Sequence, residues 1–237
     1  MNRFSKRLSL ATMLLLASGV TFAMAGGETG AVPLKKGERI VFLGDSITAG
    51  GTSKTGYVTL IKNRLQEKHG DLGITIIGAG ISGNKVPDLQ KRLERDVLSK
   101  KPTLVVIYIG INDVWHGESN PKNGTSKENF EGGLKDIIGK IKDSGARVIL
   151  CTPSVIGEKT DGGNSLDAKL DEYSDISRKV AKDTKVQLCD LRKAFAEHLK
   201  KSNPDNKASG ILTGDRVHLN TEGNAFVAQV MLKSLDQ

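Results

Sequence analysis

RIVFLGDS, residues 39–46, runs through four consecutive apolar residues, Ile40-Val41-Phe42-Leu43, and stops abruptly at Gly44-Asp45-Ser46. Alternating apolar and polar residues would mark a strand with one wet face. An unbroken run of β-branched and large apolar residues marks a strand covered on both faces, as the strands of a parallel sheet are. Four further runs rich in Val, Ile and Leu also read as strands, several of them apolar without alternation: ITIIG (74–78), TLVVIYI (103–109), ARVILC (146–151) and KVQLC (185–189). Helical segments separate them. GYVTLIKNRLQEKHG keeps apolar residues at 57, 58, 61 and 65 and stops at Gly70. SKENFEGGLKDIIGKIKDSG places Phe130, Leu134, Ile137, Ile138 and Ile141 on one stripe before Gly145. LDEYSDISRKVAKDT and EGNAFVAQVMLKSL behave similarly. Strands alternating with helices predict a three-layer α/β/α sandwich around a five-stranded parallel sheet.

In open sheets of this kind ligands bind beyond the C-terminal strand ends. The segments that follow the five strands are Gly44-Asp45-Ser46, Ala79 to Asn84, Gly110-Ile111-Asn112-Asp113, Thr152-Pro153-Ser154 and Asp190-Leu191-Arg192. Ser46 could belong to a phosphate loop, an ordinary turn or a nucleophile. A phosphate loop needs G-x-x-x-x-G-K-[ST], but five residues separate Gly44 from Gly50, and Gly51 stands where the lysine is required. GAGISG (78–83) satisfies G-x-G-x-x-G, yet Pro87 is expected to delay the following helix, so a nucleotide site is disfavoured. A nucleophile needs a base. His69 lies in a last helical turn, His198 in the polar part of RKAFAEHLKK, and His116 in a loop after Trp115. His218 differs, because Asp215 precedes it by three residues in GDRVHLN (214–220) and a helix begins afterwards. Such a turn can bring the carboxylate to one ring nitrogen and aim the other at Ser46.

The bulk numbers narrow the class. Arg3, Lys6 and Arg7, the apolar stretch from Leu8, and Ala23-Met24-Ala25 match a secretory signal peptide over residues 1–25, with Gly26 as the expected mature N-terminus. Residues 26–237 then form one domain, with no stable membrane anchor after cleavage. Loss of the three leader cations takes Lys+Arg from 35 to 32 against 27 acids, a modest excess scattered over helices, so nucleic acid is not an expected partner. Cys151 and Cys189 each end an apolar run, and two buried thiols are expected there rather than a bridge. With no C-x-x-C or Cys/His cluster, no metal or cofactor is expected.

Taken together, GDSITAG (44–50), GISGN (80–84), GIND (110–113) and the Asp215–His218 pair resemble the four blocks of the SGNH/GDSL hydrolases, a family of serine esterases and lipases. The resemblance spans the whole chain after the leader. It implies the flavodoxin-like strand order 2-1-3-4-5, a catalytic triad of Ser46, His218 and Asp215, and an oxyanion hole made by the N–H groups of Ser46 and Gly83 with the Asn112 amide. Asp45 is read as structural. Arg216 is a departure, since many members carry glycine between the acid and the histidine. The implied activity is hydrolysis of carboxylic esters through an acyl-enzyme by an exported (periplasmic or secreted) protein. A silent binding module on the same scaffold is the rival, although none of the four blocks is broken. The loops after the third and fourth strands are expected to border the pocket and are polar, which favours short acyl groups on a saccharide over a lysophospholipid or thioester. Trp115 is read either as a platform for a sugar ring or as core.

Overall fold

The structure, a computed structural model, describes residue 1 and residues 34–235, so the expected leader lies outside the described residues but for Met1. Strand β1 is Arg39–Gly44, and Ile40 to Leu43 are completely buried in it, as the unbroken apolar run requires. β2 (Thr75–Gly80), β3 (Leu104–Tyr108), β4 (Arg147–Cys151) and β5 (Gln187–Cys189) complete one sheet in the order β2-β1-β3-β4-β5, parallel throughout. This is the order that the family resemblance implies. β1 and β3 lie inside the sheet and are buried along nearly their whole length, whereas β2, at one edge, is only partly covered.

Helix α1 (Ser46–Gly51) follows β1 directly, and α2 (Tyr57–His69) carries the chain back toward β2. α3 (Val86–Asp96), α4 (Ile111–Trp115), α5 (Lys127–Asp143), α6 (Asp167–Thr184), α7 (Leu191–Ser202) and α8 (Thr221–Leu235) follow in turn. Right-handed crossovers dictate the layers. The chain moves one way across the sheet from β1 to β2 and the opposite way thereafter, so the two sets of helices cover opposite faces. Accordingly α3, α5 and α6 pack in a row, and α2, α8 and α7 pack in another. Ser126 caps α5 by accepting from the Asn129 N–H at 3.3 Å.

Pro87 does not delay α3, which begins at Val86. The first N–H groups of a helix have no intrahelical acceptor, so a proline there costs nothing and its fixed φ suits the first turn. Asp88 closes that turn by accepting from the Lys85 N–H at 3.1 Å. Under the sheet's C-terminal edge, Tyr57 stacks edge-on against Phe42 at 6.0 Å and Tyr108 at 6.2 Å. Cys151 and Cys189 are register partners on β4 and β5, and both are free, buried thiols.

Candidate active site

Parallel register makes the ends of three strands flush, with Gly44 opposite both Gly80 and Tyr108. Three polar loops therefore leave the sheet side by side. At Gly44 a Cβ would meet Thr48 Oγ1 at 2.2 Å and the Tyr108 carbonyl at 2.4 Å, so only glycine lets the chain turn this tightly against β3. Asp45 then caps α1, its Oδ1 accepting from the Ile47 N–H at 2.9 Å. That fits its structural reading. Burial pushes its carboxyl up to about 7, against the stabilising Ile47 N–H, while Asp113 adds repulsion. Ser46 is the half-buried first residue of α1.

The imidazole arrives from 172 residues away: His218 Nε2 lies 2.9 Å from Ser46 Oγ. Its loop is closed at the stem by an antiparallel bridge between Thr213 and Leu219. Within that loop Asp215 Oδ1 accepts the Val217 N–H at 3.1 Å and the His218 N–H at 2.7 Å, while Oδ2 lies 2.7 Å from His218 Nδ1. One carboxylate thus shapes the turn and aims the ring. Burial raises the Asp215 carboxyl, but hydrogen bonds from the His218 ring and these two N–H groups outweigh it and hold the group below its ordinary value. The side chains of His218 and Asp215 remain 44% and 55% exposed, so the pair works as an orienting contact more than as a buried ion pair. Arg216 between them has φ +80, the left-handed region that glycine enters without strain.

In the loop after β2, Gly83 has φ +76, and the nearest atom to an added Cβ is His116 Cε1 at 4.0 Å. Glycine is demanded here by backbone conformation rather than by crowding. Asn112, 4% exposed at the start of α4, donates one Nδ2 proton to the Asn84 carbonyl at 3.1 Å, leaving the second uncommitted. Asp113 accepts from the Val86 N–H at 3.1 Å, and burial pushes its carboxyl up to about 6 against that bond.

Sequence reasoning missed Arg92. Only 6% exposed, its guanidinium donates to the Gly44 carbonyl (2.8 Å), the Ala79 carbonyl (3.0 Å), Asn84 Oδ1 (2.6 Å) and Asp96 Oδ2 (3.0 Å). It joins the ends of β1 and β2 to the loop that holds Gly83. A signal existed: Arg92 falls on the buried stripe of α3 with Val86, Leu89 and Leu93, where an unpartnered cation would be costly.

The cavity at Ser46 and His218 measures about 360 Å³ and is lined further by Ile47, Ser53, Thr55, Leu219 and Asn224. Its walls come from α1 and from the segment entering α8, while the loop after β3 reaches Gly83, where His116 Cε1 stands 4.0 Å from the position of an added Cβ. The loop after β4 instead supports the His218 loop, Gly157 N–H donating to the Arg216 carbonyl at 2.7 Å. Trp115 is half-buried against the core and does not line this cavity. Beyond β4 and β5 the polar residues are tied up structurally, Arg192 by Asp171 (2.7 Å) and Asp167 (2.9 Å), and Asp190 by Arg178 (2.8 Å). His198 packs its ring on Phe226 at 4.7 Å. Among the described residues, no group of three His, Cys, Asp or Glu side chains is placed to hold a metal ion.

A serine hydroxyl within hydrogen-bond reach of an imidazole, itself oriented by a carboxylate, can act as a nucleophile. The comparisons with known proteins point the same way. The GDSL-like lipase/acylhydrolase family model matches residues 42–226. An acetylxylan esterase of Geobacillus stearothermophilus is 33% identical over 84% of this chain and 94% of its own length. The crystal structure of the acetyl xylan esterase AlAXEase superposes with a TM-score of 0.81 at 46% identity, covering 84% of this chain and all of that one. Structures of Axe2, an acetylxylan esterase from G. stearothermophilus, superpose with a TM-score of 0.76 at 32% identity, covering 85% of this chain and 95% of that one. They include catalytic mutants in which a serine, an aspartate or a histidine is replaced by alanine, the last two spaced three residues apart. Sequence blocks, strand order and relatives agree, and the chain belongs to the GDSL-like lipase/acylhydrolase family.

Proposed function

We propose that this protein is an exported carbohydrate esterase that removes short acyl groups, acetyl foremost, from an acylated saccharide by way of a Ser46 acyl-enzyme. Its class is that of the carboxylic ester hydrolases, as for its named relatives. In this reading His218 Nε2 takes the Ser46 proton as Oγ attacks the ester carbonyl. The developing oxyanion receives hydrogen bonds from the Ser46 and Gly83 N–H groups and from the second Asn112 amide proton. His218 passes its proton to the departing sugar oxygen, then activates the water that releases the acid. Asp215 holds the ring in the required tautomer throughout.

The observation that carries the proposal is the continuous relay Ser46–His218–Asp215, with contacts of 2.9 and 2.7 Å, at the flush strand ends. The Asp–His spacing of the Axe2 catalytic mutants, matched by Asp215 and His218, supports it. The saccharide ester rests on the acetylxylan esterase relatives and on the cavity, where Ile47 and Leu219 are the only large apolar side chains among hydroxyl and amide groups. A groove for a long acyl chain needs apolar walls, since each buried methylene contributes about 0.8 kcal/mol. Trp115, half-buried against the core and outside the lining of this cavity, lends the sugar reading no support. Export rests on residues 1–25 alone, with Gly26 as the mature N-terminus and residues 26–237 as one domain. Among the described residues no helix is long and apolar enough to cross a membrane.

One experiment tests the whole reading. Wild type and Ser46→Ala are assayed on aryl esters from C2 to C16, acetylated xylan and lysophosphatidylcholine. Wild type should prefer C2 to C4 and deacetylate xylan, and Ser46→Ala should be inactive while folded. Turnover by Ser46→Ala within a few-fold of wild type refutes the nucleophile. A maximum at C8 or longer without xylan deacetylation refutes the substrate, and no ester hydrolysis at all favours a silent binding module.

A further inference from the structure

Glu158 lies in the loop after β4 with no solvent exposure, and no step of the proposed reaction uses it. Among the described residues it forms no ion pair. Its carboxylate instead takes four hydrogen bonds from three consecutive residues: Oε2 from the Ile211 N–H (2.8 Å), and Oε1 from the Leu212 N–H (2.7 Å), the Thr213 N–H (2.6 Å) and the Thr213 hydroxyl (2.9 Å). The residue is itself anchored, its carbonyl accepting from Asn203 Nδ2 at 2.7 Å and its N–H donating to the Ala208 carbonyl at 3.0 Å.

Residues 211–213 are the stem from which the His218 loop springs. Thr213 bridges to Leu219, the Leu212 carbonyl accepts from the Asn220 N–H at 3.1 Å, and the Gly214 N–H donates to the His218 carbonyl at 2.9 Å. The three N–H groups held by Glu158 lie outside any helix or named strand, and buried N–H groups without an acceptor are strongly disfavoured. A carboxylate offers two oxygens that accept only, enough for three backbone donors and a hydroxyl at once. We infer that Glu158 is a positioning residue for His218: it locks the stem of the loop so that Nε2 points at Ser46 Oγ, without touching the reacting atoms. The inference rests on the proposed role of His218 as the base.

Glu158→Gln is the sharpest test because it changes neither length nor shape. Whichever way its amide is turned, the NH₂ group faces at least one backbone N–H that needs an acceptor, so the stem must shift. Thr213→Val removes only the hydroxyl bond and keeps the side-chain shape. Both variants, with Glu158→Asp, Ser46→Ala and wild type, are compared by kcat and KM on 4-nitrophenyl acetate and by thermal melting. Glu158→Gln should lower kcat about 10- to 100-fold with KM within about threefold of wild type in protein that is folded at the assay temperature. Glu158→Asp keeps both oxygens one methylene short and should recover part of that loss, and Thr213→Val should lower kcat by a few-fold. A folded Glu158→Gln with kcat within twofold of wild type, or a loss confined to KM, overturns the inference. Should Glu158→Gln fail to fold, Thr213→Val decides, and an unchanged kcat overturns it. Activity surviving in Ser46→Ala would instead remove the reading of the site on which the inference rests.

Discussion

Asn112 offers a direct measure of how much of the rate comes from stabilising the oxyanion. Of its two amide protons, one is spent on the Asn84 carbonyl at 3.1 Å, which fixes the orientation of the group, and the other is the donor proposed for the oxyanion. Asn112→Ala removes that free donor. A single oxyanion-hole donor is worth about 3–4 kcal/mol in the transition state, so kcat should fall roughly 100- to 1,000-fold. KM should change far less, because the ester oxygen carries little charge before attack. The stability cost is separate and smaller. Losing the bond to Asn84 and leaving that carbonyl poorly satisfied costs about 1–3 kcal/mol, a fall in Tm of roughly 3–10 °C for a domain of this size. Initial rates on 4-nitrophenyl acetate and circular-dichroism melts separate the two effects. Asn112→Asp keeps the shape but sets a carboxylate against both the Asn84 carbonyl and the oxyanion, and should be no more active than the alanine variant. A kcat within tenfold of wild type, or a loss expressed only in KM, would refute the role assigned to Asn112.

Two further outcomes follow from buried ionisable groups. Arg92→Lys should lose most of the four hydrogen bonds, because a single ammonium cannot reach two carbonyls, Asn84 and Asp96 from one position; it should destabilise by roughly 2–4 kcal/mol and lower kcat, and a denaturation midpoint equal to wild type would count against the bracing role. Asp45, raised by burial from an ordinary 3.8 to about 7, keeps its proton in the folded protein while the unfolded chain releases it, so its contribution to stability is complete below pH 4 and is lost as pH rises toward 7. Asp45→Asn keeps the acceptor for the Ile47 N–H but cannot ionise. It should match wild type at pH 4 and melt higher at pH 8, by on the order of 4 kcal/mol or about 10 °C, and an equal difference in Tm at both pH values would refute the assignment.

These buried groups also mark where sequence reading stops. The inner strands β1, β3 and β4 were legible because a parallel strand inside a sheet must be apolar on both faces, and the edge strands β2 and β5, less fully covered, from their Val, Ile and Leu content. Ser46, Asp215 and His218, the proposed triad, stood out in the sequence because proton transfer admits few residue types, and because Asp215 and His218 share one short turn whose bonds are local. The loops were harder to read for the opposite reason. Polarity predicts that a loop is wet, but not what it leans on, and the segment after β4 supports the His218 loop through the Gly157 N–H. Arg92 and Glu158 share a task that leaves unequal traces. Arg92 interrupts the apolar stripe of a helix, so a careful count of that stripe exposes it. Glu158 sits in a stretch with no period to interrupt, 53 to 55 residues before the N–H groups it holds, and those donors exist at every position of every chain. Backbone donors carry no side-chain signature, so a carboxylate that serves them looks in sequence like any surface acid. The residues that perform chemistry are constrained by type and can be read. Those that aim them through the backbone are constrained by position alone, and emerge only when the fold shows which N–H groups lack a partner.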